Sequence, residues 1–314
     1  MNQTEFVGVD THKNTLACYA NGRFKEFQCN AKGFKEAVKW SKSKKWAIEG
    51  AYCFGRPLSA YLIENGHEVY EVNPLLTKLW RQVIAINNRK NDYGDAKVIS
   101  LFAHTQPLQA VSFQTVRLKE MLTARRSFVK DRTRIINSVK MLFASRGKEL
   151  PFKDLSTIKA GKWLLEQDDL VIKSYAKILV EVNDSIKKLE KAIEKELPEK
   201  ACDLKVLTGI NTINAATIYT ETKGKLTSKE SLASYSGVAP IEQSSGKVQR
   251  HKNNKGGNRL LNSLFYRMSI TQSCRDEEGK RYYEKKLKEG KSKRHARKCL
   301  ARRLVNKVWQ ILKD

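Results

Sequence analysis

The amino-acid sequence predicts an α/β domain over residues 1–108, a helical hairpin or coiled coil over 109–200, and a mostly α-helical domain over 201–314. In the first hundred residues, short runs rich in β-branched and aromatic side chains alternate with stretches of helical spacing, which predicts a sheet covered by helices. Beyond them, apolar residues recur at intervals of three and four, which predicts helices. With 314 residues, 40% of them hydrophobic, the chain can form more than one core.

Three short β runs open the chain, at residues 5–10, 14–20 and 23–29. The dipeptide Asn21-Gly22 between the second and third favours a tight hairpin, because both positions tolerate positive φ. The pattern then predicts a helix at 33–41, a strand at 45–49, a helix at 57–65 and a strand at 67–72. Followed by one more helical segment, this is the βββαβαβα order of an RNase H-like sheet.

Two long helices are predicted in the middle of the chain. Residues 115–146 carry apolar side chains at helical intervals, and residues 175–197 repeat them in steps of four and three, as in a coiled coil. These helices are expected to pack on each other or on a second subunit. Pro198 ends the second helix, and a new domain begins near Cys202. Residues 207–220 predict a helix, a glycine-containing turn and another helix, which fits a phosphate-holding helix-turn-helix and a plain helical corner equally.

The charge balance indicates a polyanionic partner. The chain has 60 Lys plus Arg against 33 Asp plus Glu, a net charge of +27, and nucleic acid is the first candidate. An anionic membrane surface is the rival, but no apolar run approaches the roughly 18 to 20 residues of a spanning helix, and no signal-peptide core opens the chain. The sequence therefore predicts a cytoplasmic protein. The six cysteines are scattered, without a C-x-x-C pair that would indicate zinc.

Four acidic residues of the first domain stand where metal-dependent phosphate chemistry needs them. Asp10 ends the first strand and Glu49 ends the fourth, while Asp92 and Asp95 are three apart in a helical segment and face the same way. Together they are predicted to bind two Mg²⁺ ions, which prefer oxygen ligands and would activate an attacking oxygen and stabilise a leaving one. The alternative for each of these residues is a structural role in a turn or as a helix cap, without a metal.

Several motifs make the prediction specific. They are GVDTHKNT at residues 8–15, IEGAY at 48–52, the pair Asn73-Pro74, RKNDYGDAKVI at 89–99, LTGINTINAATIYTE at 207–221, and residues 232–266. In this order they resemble the motif blocks of the DEDD-type transposases of the insertion sequence one-ten family, relatives of the Piv invertases. The main departure is Thr208, where the family usually has proline.

The resemblance implies a RuvC-like, RNase H-like domain joined to a serine-bearing domain. It assigns Asp10, Glu49, Asp92 and Asp95 as metal ligands and Ser245 as the nucleophile. Ser245 is favoured over Ser244 because the family's serine directly precedes a glycine, although the sequence alone reads as a surface turn. The resemblance also implies a structured noncoding guide RNA that selects both DNA partners.

Basic residues near these motifs are candidates for nucleic-acid contact. Residues 246–259 mix glycines with cations, as a loop along a phosphate backbone or a disordered surface loop would. The candidates are Lys13, Arg89, Lys90, Arg125, Arg126, Lys247, Arg250, Lys252, Lys255 and Arg259. In the tail, Tyr282, Tyr283 and Trp309 either stack on unpaired bases or, as the stripe through Leu300, Leu304 and Val308 favours, belong to a core.

The sequence therefore predicts a DNA transposase or site-specific recombinase that cleaves and rejoins strands through a serine–DNA intermediate. Its predicted partners are donor and target DNA, a guide RNA and further copies of the chain in a dimer or tetramer, at the nucleoid of a prokaryotic cell. One alternative is a junction-resolving or defence nuclease that uses the carboxylates alone. Another is a non-catalytic nucleic-acid-binding protein whose acidic residues are structural.

Overall fold

The computed structural model describes residues 6–50, 54–84, 91–105, 108, 110–222, 228–245, 248–254 and 257–313. The chain divides into two compact units, one formed by Met1–Arg117 together with Glu199–Asp314 and the other by Leu118–Pro198. Within the ranges just given, no helix is both long enough and apolar enough to cross a lipid bilayer.

A five-stranded mixed sheet forms the N-terminal region. Its strands are β1 (Phe6–Thr11), β2 (Thr15–Ala20), β3 (Arg23–Gln28), β4 (Lys45–Glu49) and β5 (Glu68–Val72). They lie in the order β3-β2-β1-β4-β5; β1 to β3 form an antiparallel meander, and β4 runs parallel to both β1 and β5. Asn21 and Gly22 have φ values of 53° and 74°, as a tight turn between β2 and β3 requires. The five predicted strands and the antiparallel meander that opens the chain are thus confirmed.

Helices cover both faces of this sheet. They are α1 (Ala31–Ser41), α2 (Arg56–Glu64), α3 (Pro74–Ile84) and α4 (Asp92–Thr105). On one face, Phe34 of α1 and Leu58 of α2 join a core with Trp46 and Ile48 of β4. On the other face, Ile99 and Phe102 of α4 pack with Ala47 and Val72. The region is therefore a three-layer α/β domain.

Three helices form most of the second unit: α5 (Phe113–Ser145), α6 (Ile158–Glu166) and α7 (Leu170–Glu196). Arg125 pairs with Glu190 and Arg146 with Asp169, so α5 and α7 run antiparallel. Their apolar faces enclose a core to which α6 also contributes, through Leu164. The helix α6 is an addition to the sequence prediction, which named only the two long helices.

The C-terminal region is mostly helical. It contains α8 (Glu199–Asp203), a short 3-10 turn (Leu204–Val206), α9 (Thr212–Thr222), α10 (Lys229–Tyr235), β6 (Pro240–Ser245), β7 (Val248–Asn253), α11 (Arg259–Arg275), α12 (Glu277–Lys288) and α13 (Lys293–Lys313). Leu264 and Phe265 of α11 and Leu300, Leu304 and Val308 of α13 are buried, so these positions of the tail are core. The aromatic residues Tyr282, Tyr283 and Trp309 are half-buried.

Two sequence predictions in this region need correction. The helix expected from residue 207 ends earlier: Leu207–Asn211 is a turn, since Gly209 has a φ of 94° and the Gln272 side chain donates to the Thr208 carbonyl at 3.0 Å. The Asn211 side chain accepts from the Asn214 amide at 2.9 Å, as in an ordinary capped corner. The loop expected over 246–259 is also wrong in part, because Val248–Asn253 is a strand paired with β6.

Candidate active site

The four predicted carboxylates lie where β1, β4 and the first turn of α4 meet. Asp10 is the penultimate residue of β1 and Glu49 is the last residue of β4. These strands are parallel with Val9 opposite Ile48, so the register continues with Asp10 beside Glu49. Asp92 and Asp95 occupy the first turn of α4. Three elements thus bring the four acidic residues to one edge of the sheet.

A glycine allows α4 to lie directly on β1. A Cβ atom on Gly8 would stand 2.2 Å from the Ala96 carbonyl oxygen and 2.4 Å from the Ser100 amide nitrogen, both of them backbone atoms. The Ser100 hydroxyl also donates to the Phe6 carbonyl at 2.8 Å. The glycine of the GVD motif therefore permits the helix contact that places Asp92 and Asp95 beside Asp10.

An aromatic residue fixes the same turn from the meander side. Tyr93 stands between the two aspartates, and its ring meets those of Tyr19 and Phe24 edge to face, with centroids 5.8 and 5.5 Å away. Such contacts are directional as well as apolar. The start of α4 is thus attached to β1, β2 and β3.

Glu49 forms the inner part of the site together with two threonines. The Thr77 hydroxyl donates to its Oε2 at 3.2 Å, and the Thr11 hydroxyl donates to its backbone carbonyl at 3.1 Å. Burial is the main cause that raises the pKa of Glu49, and the neighbouring Asp10 and, less strongly, Asp95 add to it; Thr77 and Arg81 oppose the rise. Negative charge is thus concentrated at a partly desolvated position, where a cation would be strongly attracted.

Among the described residues, Arg81 of α3 is a cation that contacts these carboxylates directly. Its Nη2 lies 2.5 Å from Oδ1 of Asp95, and the side chains are only 18% and 5% exposed. The sequence alone does not single out this arginine or Thr77, because both lie on a helical segment far along the chain from their partners. The signal that was available is their spacing of four, which puts both side chains on one face of α3.

His12 forms the outer part of the site with two of the predicted carboxylates. Its Nε2 lies 3.5 Å from Oδ2 of Asp10 and 3.5 Å from Oδ1 of Asp92. One ligand atom from each of these three residues lies within 4.8 Å of the other two. Adjacent ligands of an octahedral ion with bonds of about 2.1 Å stand roughly 3 Å apart, so the three groups fit one divalent cation after small side-chain adjustments.

Ser245 lies on a separate element, the two-stranded sheet of the C-terminal region. It is the last residue of β6 and is paired with Val248, so it stands at the tip of the hairpin. Ser244 precedes it, opposite Gln249. Residues 246 and 247, which join the strands, lie outside the described residues.

Four of the predicted nucleic-acid contacts have described side chains. Lys13 and Arg259 are exposed, the latter as the first residue of α11. Arg125 is engaged with Glu190, at 2.7 Å through Nε and 2.6 Å through Nη2, so its charge is partly neutralised. Arg126 donates to the Thr123 hydroxyl at 3.1 Å.

The remaining candidates lie on or beside the hairpin, or close before α4. Arg250 and Lys252 belong to β7, where they pair with Gln243 and Ile241. Arg89, Lys90, Lys247 and Lys255 lie outside the described residues.

Known families match two long stretches of the chain. A family model described as "Transposase", of the DEDD IS110 type, matches residues 7–145, and one described as "Transposase IS116/IS110/IS902 family" matches residues 203–284. The first match includes all four carboxylates, and the second includes the hairpin of β6 and β7 that carries Ser245.

Two curated relatives are similar over shorter stretches. An uncharacterized 44.8 kDa protein of the insertion element IS116 from Streptomyces clavuligerus is 37% identical over 84 residues, 26% of this chain and 21% of that protein. An uncharacterized 42 kDa protein of IS900 from Mycobacterium paratuberculosis is 32% identical over 88 residues, 28% of this chain and 22% of that protein. The alignments thus span about a fifth of the relatives' length.

A solved structure of RuvC from Thermus thermophilus is similar to 34% of this chain and to 99% of its own chain, at 17% sequence identity and a TM-score of 0.24.

Proposed function

Because the chain belongs to the IS110 family of transposases, we propose that it cuts and rejoins DNA strands, with carboxylates that hold divalent metal and with Ser245 as the nucleophile. The observation that carries the proposal is the convergence of Asp10, Glu49, Asp92 and Asp95 at one sheet edge in a chain of charge +27. In this proposal, residues 1–108 hold the metal, 109–200 serve assembly, and 201–314 carry the serine.

The four carboxylates suit a hard divalent cation, for which we propose Mg²⁺, with two ions in the complete site. Asp10, Asp92 and His12 would hold one on the outer side, and Glu49 and Asp95 would contribute from the inner side. Divalent metal at such a site lowers the pKa of an attacking oxygen and neutralises charge on the phosphate. Thr77 orients Glu49 toward this task, and Arg81 balances the charge of Asp95.

The serine step conserves the energy of the broken bond. The Ser245 oxygen forms a bond to phosphorus, its proton passes to a base, and the displaced sugar oxygen leaves and takes up a proton. A sugar hydroxyl of another strand then attacks the same phosphorus, and Ser245 recovers its hydroxyl. A serine needs such activation and a neutralised phosphate, because a free hydroxyl is a poor nucleophile.

We further propose that the protein acts as a homo-oligomer, a dimer or tetramer, with a structured guide RNA. Support for the oligomer comes from apolar side chains left exposed on the helices of residues 118–198, such as Leu170 at 82%, Val171 and Ile178. Support for RNA comes from the net charge, since a basic protein binds RNA through backbone and shape. These partners place the protein in the cytoplasm, at the nucleoid.

The decisive experiment maps the covalent link. The protein is incubated with Mg²⁺ and DNA that contains the gene with its native flanks, the reaction is stopped with denaturant, and DNA-linked peptides are mapped by mass spectrometry. The proposal expects a link at Ser245 that is absent in Ser245→Ala and retained in Ser244→Ala. A link at Ser244 moves the nucleophile by one residue.

Carboxylate variants separate the remaining alternatives. Asp10→Asn and Asp95→Asn are expected to abolish cleavage and strand joining while the circular dichroism spectrum stays unchanged, because an amide keeps the shape and loses the charge. Metal-dependent cleavage that leaves free ends, undiminished in Ser245→Ala, would identify a carboxylate nuclease. Intact DNA under all conditions would favour a non-catalytic binding protein.

RNA guidance has its own test. RNA that co-purifies with the protein is sequenced, and recombination is compared before and after ribonuclease treatment. Binding should weaken steeply with salt, with roughly one counterion released per phosphate neutralised. Equal recombination by protein that carries no RNA would contradict the guide.

A further inference from the structure

The hairpin formed by β6 and β7 is held at its base by one cluster of polar side chains, which we call the hairpin clamp. Asn258 stands immediately before α11, and its Oδ1 accepts from the amides of Leu260 and Leu261 at 3.0 and 3.1 Å. Its Nδ2 donates to Oε2 of Glu221 at 2.8 Å and to the Tyr235 hydroxyl at 3.2 Å. A single side chain therefore ties together α9, α10 and α11.

The acidic member of this cluster is unusual for its burial. Glu221 lies in the last turn of α9 and is 7% exposed. Removing a carboxylate from water is costly unless donors replace the lost hydration, and the Asn258 amide is one such donor. Because burial of the Glu221 carboxylate is costly without its hydrogen bond to Asn258, we expect Glu221 to fix the position of the Asn258 side chain.

The chain that enters the hairpin is fastened to the same place. The backbone amide of Asn258 donates to the Tyr235 carbonyl at 2.6 Å. The side-chain Nδ2 of Asn262 donates to the carbonyls of Ser236 and Gly237 at 3.1 and 2.9 Å. A Cβ atom on Gly257 would stand 2.5 Å from the Gly237 Cα and nitrogen. The segments that lead into β6 and out of β7 are therefore joined to each other.

This base controls where the tip of the hairpin lies. A two-stranded sheet is marginally stable alone, so its direction depends on its attachment. Ser245 stands five residues beyond Pro240 along β6, which at about 3.4 Å per residue is roughly 17 Å. A tilt of about 10° at the base moves the tip by roughly 3 Å, and a misplacement of about 1 Å already costs on the order of a hundredfold in rate.

We propose that Glu221, Asn258 and Asn262 are positioning residues that hold the β6–β7 hairpin in the direction at which Ser245 meets the scissile phosphate. The proposal rests on Ser245 as the nucleophile. These residues act through the hairpin, and none of them takes part in bond making or breaking.

The test uses a reversed hydrogen bond. Asn258→Asp keeps the oxygen that caps α11 and loses the donor to Glu221, so that two carboxyl groups face each other. Glu221→Gln exchanges the acceptor for an amide. In the double variant, the new glutamine amide donates to the new aspartate, and the bond returns with donor and acceptor exchanged. Tyr235→Phe removes the hydroxyl that accepts from Asn258 and serves as a milder variant that should fold.

Two measurements are made on the full-length chain. Hydrogen exchange by mass spectrometry reports the opening of residues 240–253, and the rate of covalent link formation reports the aim of Ser245. Asn258→Asp is expected to raise exchange in the hairpin and to slow formation of the covalent link by about tenfold or more. The double variant is expected to recover most of the wild-type exchange protection in the hairpin and most of the wild-type rate of link formation. Ser228→Ala, which removes the cap at the far end of α10, is the control and should leave both unchanged.

The outcomes separate the two proposals. Faster hairpin exchange with an unchanged rate of link formation overturns the positioning role, and so does failure of the double variant to recover. Unchanged exchange in both Asn258→Asp and Tyr235→Phe overturns the clamp itself. A wild-type protein that forms no covalent link overturns Ser245 as the nucleophile, while hydrogen exchange still shows whether the cluster holds the hairpin.

Discussion

The guanidinium of Arg81 stands 2.5 Å from a carboxylate oxygen of Asp95, inside the group of acidic residues at the edge of the sheet. Two divalent ions would bring four positive charges to the same place. The arginine balances part of the negative charge of the group, and in the proposed site it would share Asp95 with the metal.

Replacing Arg81 should make folding depend on metal. In Arg81→Met, the buried Asp95 loses its cation, and the free energy of unfolding in a chelator should fall by roughly 2 kcal/mol, less than for a fully buried pair. Mg²⁺ should then raise the melting temperature more in the variant than in the wild type, because it binds only the folded state. Thermal unfolding with and without Mg²⁺ measures both effects.

Arg134→Met is the matched control. This arginine is 78% exposed and pairs with Asp131 on the surface of α5, where an ion pair contributes little. Its melting temperature should change by less, and in the same way with and without Mg²⁺. An equal loss in both variants would contradict the special role of Arg81.

His12 should coordinate metal through nitrogen. With Mn²⁺ as a paramagnetic substitute for Mg²⁺, the electron spin echo of the complex should show modulation from a directly bound ¹⁴N nucleus, since Nε2 lies 3.5 Å from both Asp10 and Asp92. The modulation should disappear in His12→Gln and persist in His295→Gln, which alters an exposed histidine of α13. Modulation that persists in His12→Gln would place the nitrogen elsewhere.

Glu49 should make stability depend on pH when metal is removed. Burial and the neighbouring Asp10 raise its pKa in the folded protein above the ordinary value of 4.5. At pH values between the pKa of the unfolded state and that of the folded state, the folded protein binds more protons than the unfolded chain. Stability is therefore lost as pH rises through the folded pKa. The glutamine of Glu49→Gln does not titrate. The free energy of unfolding of the variant, relative to that of the wild type, should therefore rise from pH 4 to pH 7.

Urea unfolding in a chelator at several pH values measures this difference. Saturating Mg²⁺ should reduce it at pH 7, because the ion favours the ionised carboxylate of the wild type. A difference that shrinks with rising pH would show that the pKa is lowered in the folded protein.

Gly8→Ala should damage the site without touching a ligand. The added methyl group would stand 2.2 Å from the Ala96 carbonyl oxygen, so α4 must move away from β1. We expect a loss of about 1 to 3 kcal/mol in the free energy of unfolding and a weaker affinity for Mn²⁺. The matched control is Gly161→Ala, whose methyl group would lie 3.3 Å from a side-chain carbon of Val180. It should change the free energy of unfolding only slightly and leave the affinity for Mn²⁺ unchanged. Unchanged Mn²⁺ affinity in Gly8→Ala would contradict the proposed coupling.

The sequence predicts the sheet well because its signals are local. Alternating apolar residues, the Asn21-Gly22 turn and the short gaps between elements place β1 to β5 within about two residues of their observed bounds. The candidate carboxylates follow from this topology, since the ends of β1 and β4 must meet.

The remaining features depend on distant partners. Thr77 and Arg81 contact residues 28 and 14 positions away, and nothing in their own helix specifies those contacts. The strand β7 is polar apart from Val248, so its pairing with β6 stabilises a conformation that its composition does not favour. The clamp at Glu221 and Asn258 joins residues 37 positions apart. Such contacts require the folded chain.

The contact between Gly8 and α4 also has a mechanical consequence. The atoms of α4 nearest to Gly8 are backbone atoms, so a change of rotamer cannot relieve a displacement at that point. Strand and helix must then move as one stiff body, and Asp10 keeps its distance from Asp92 and Asp95 under load. In the proposed site, the spacing between the ligands on β1 and those on α4 is therefore set by the backbone rather than by side-chain packing.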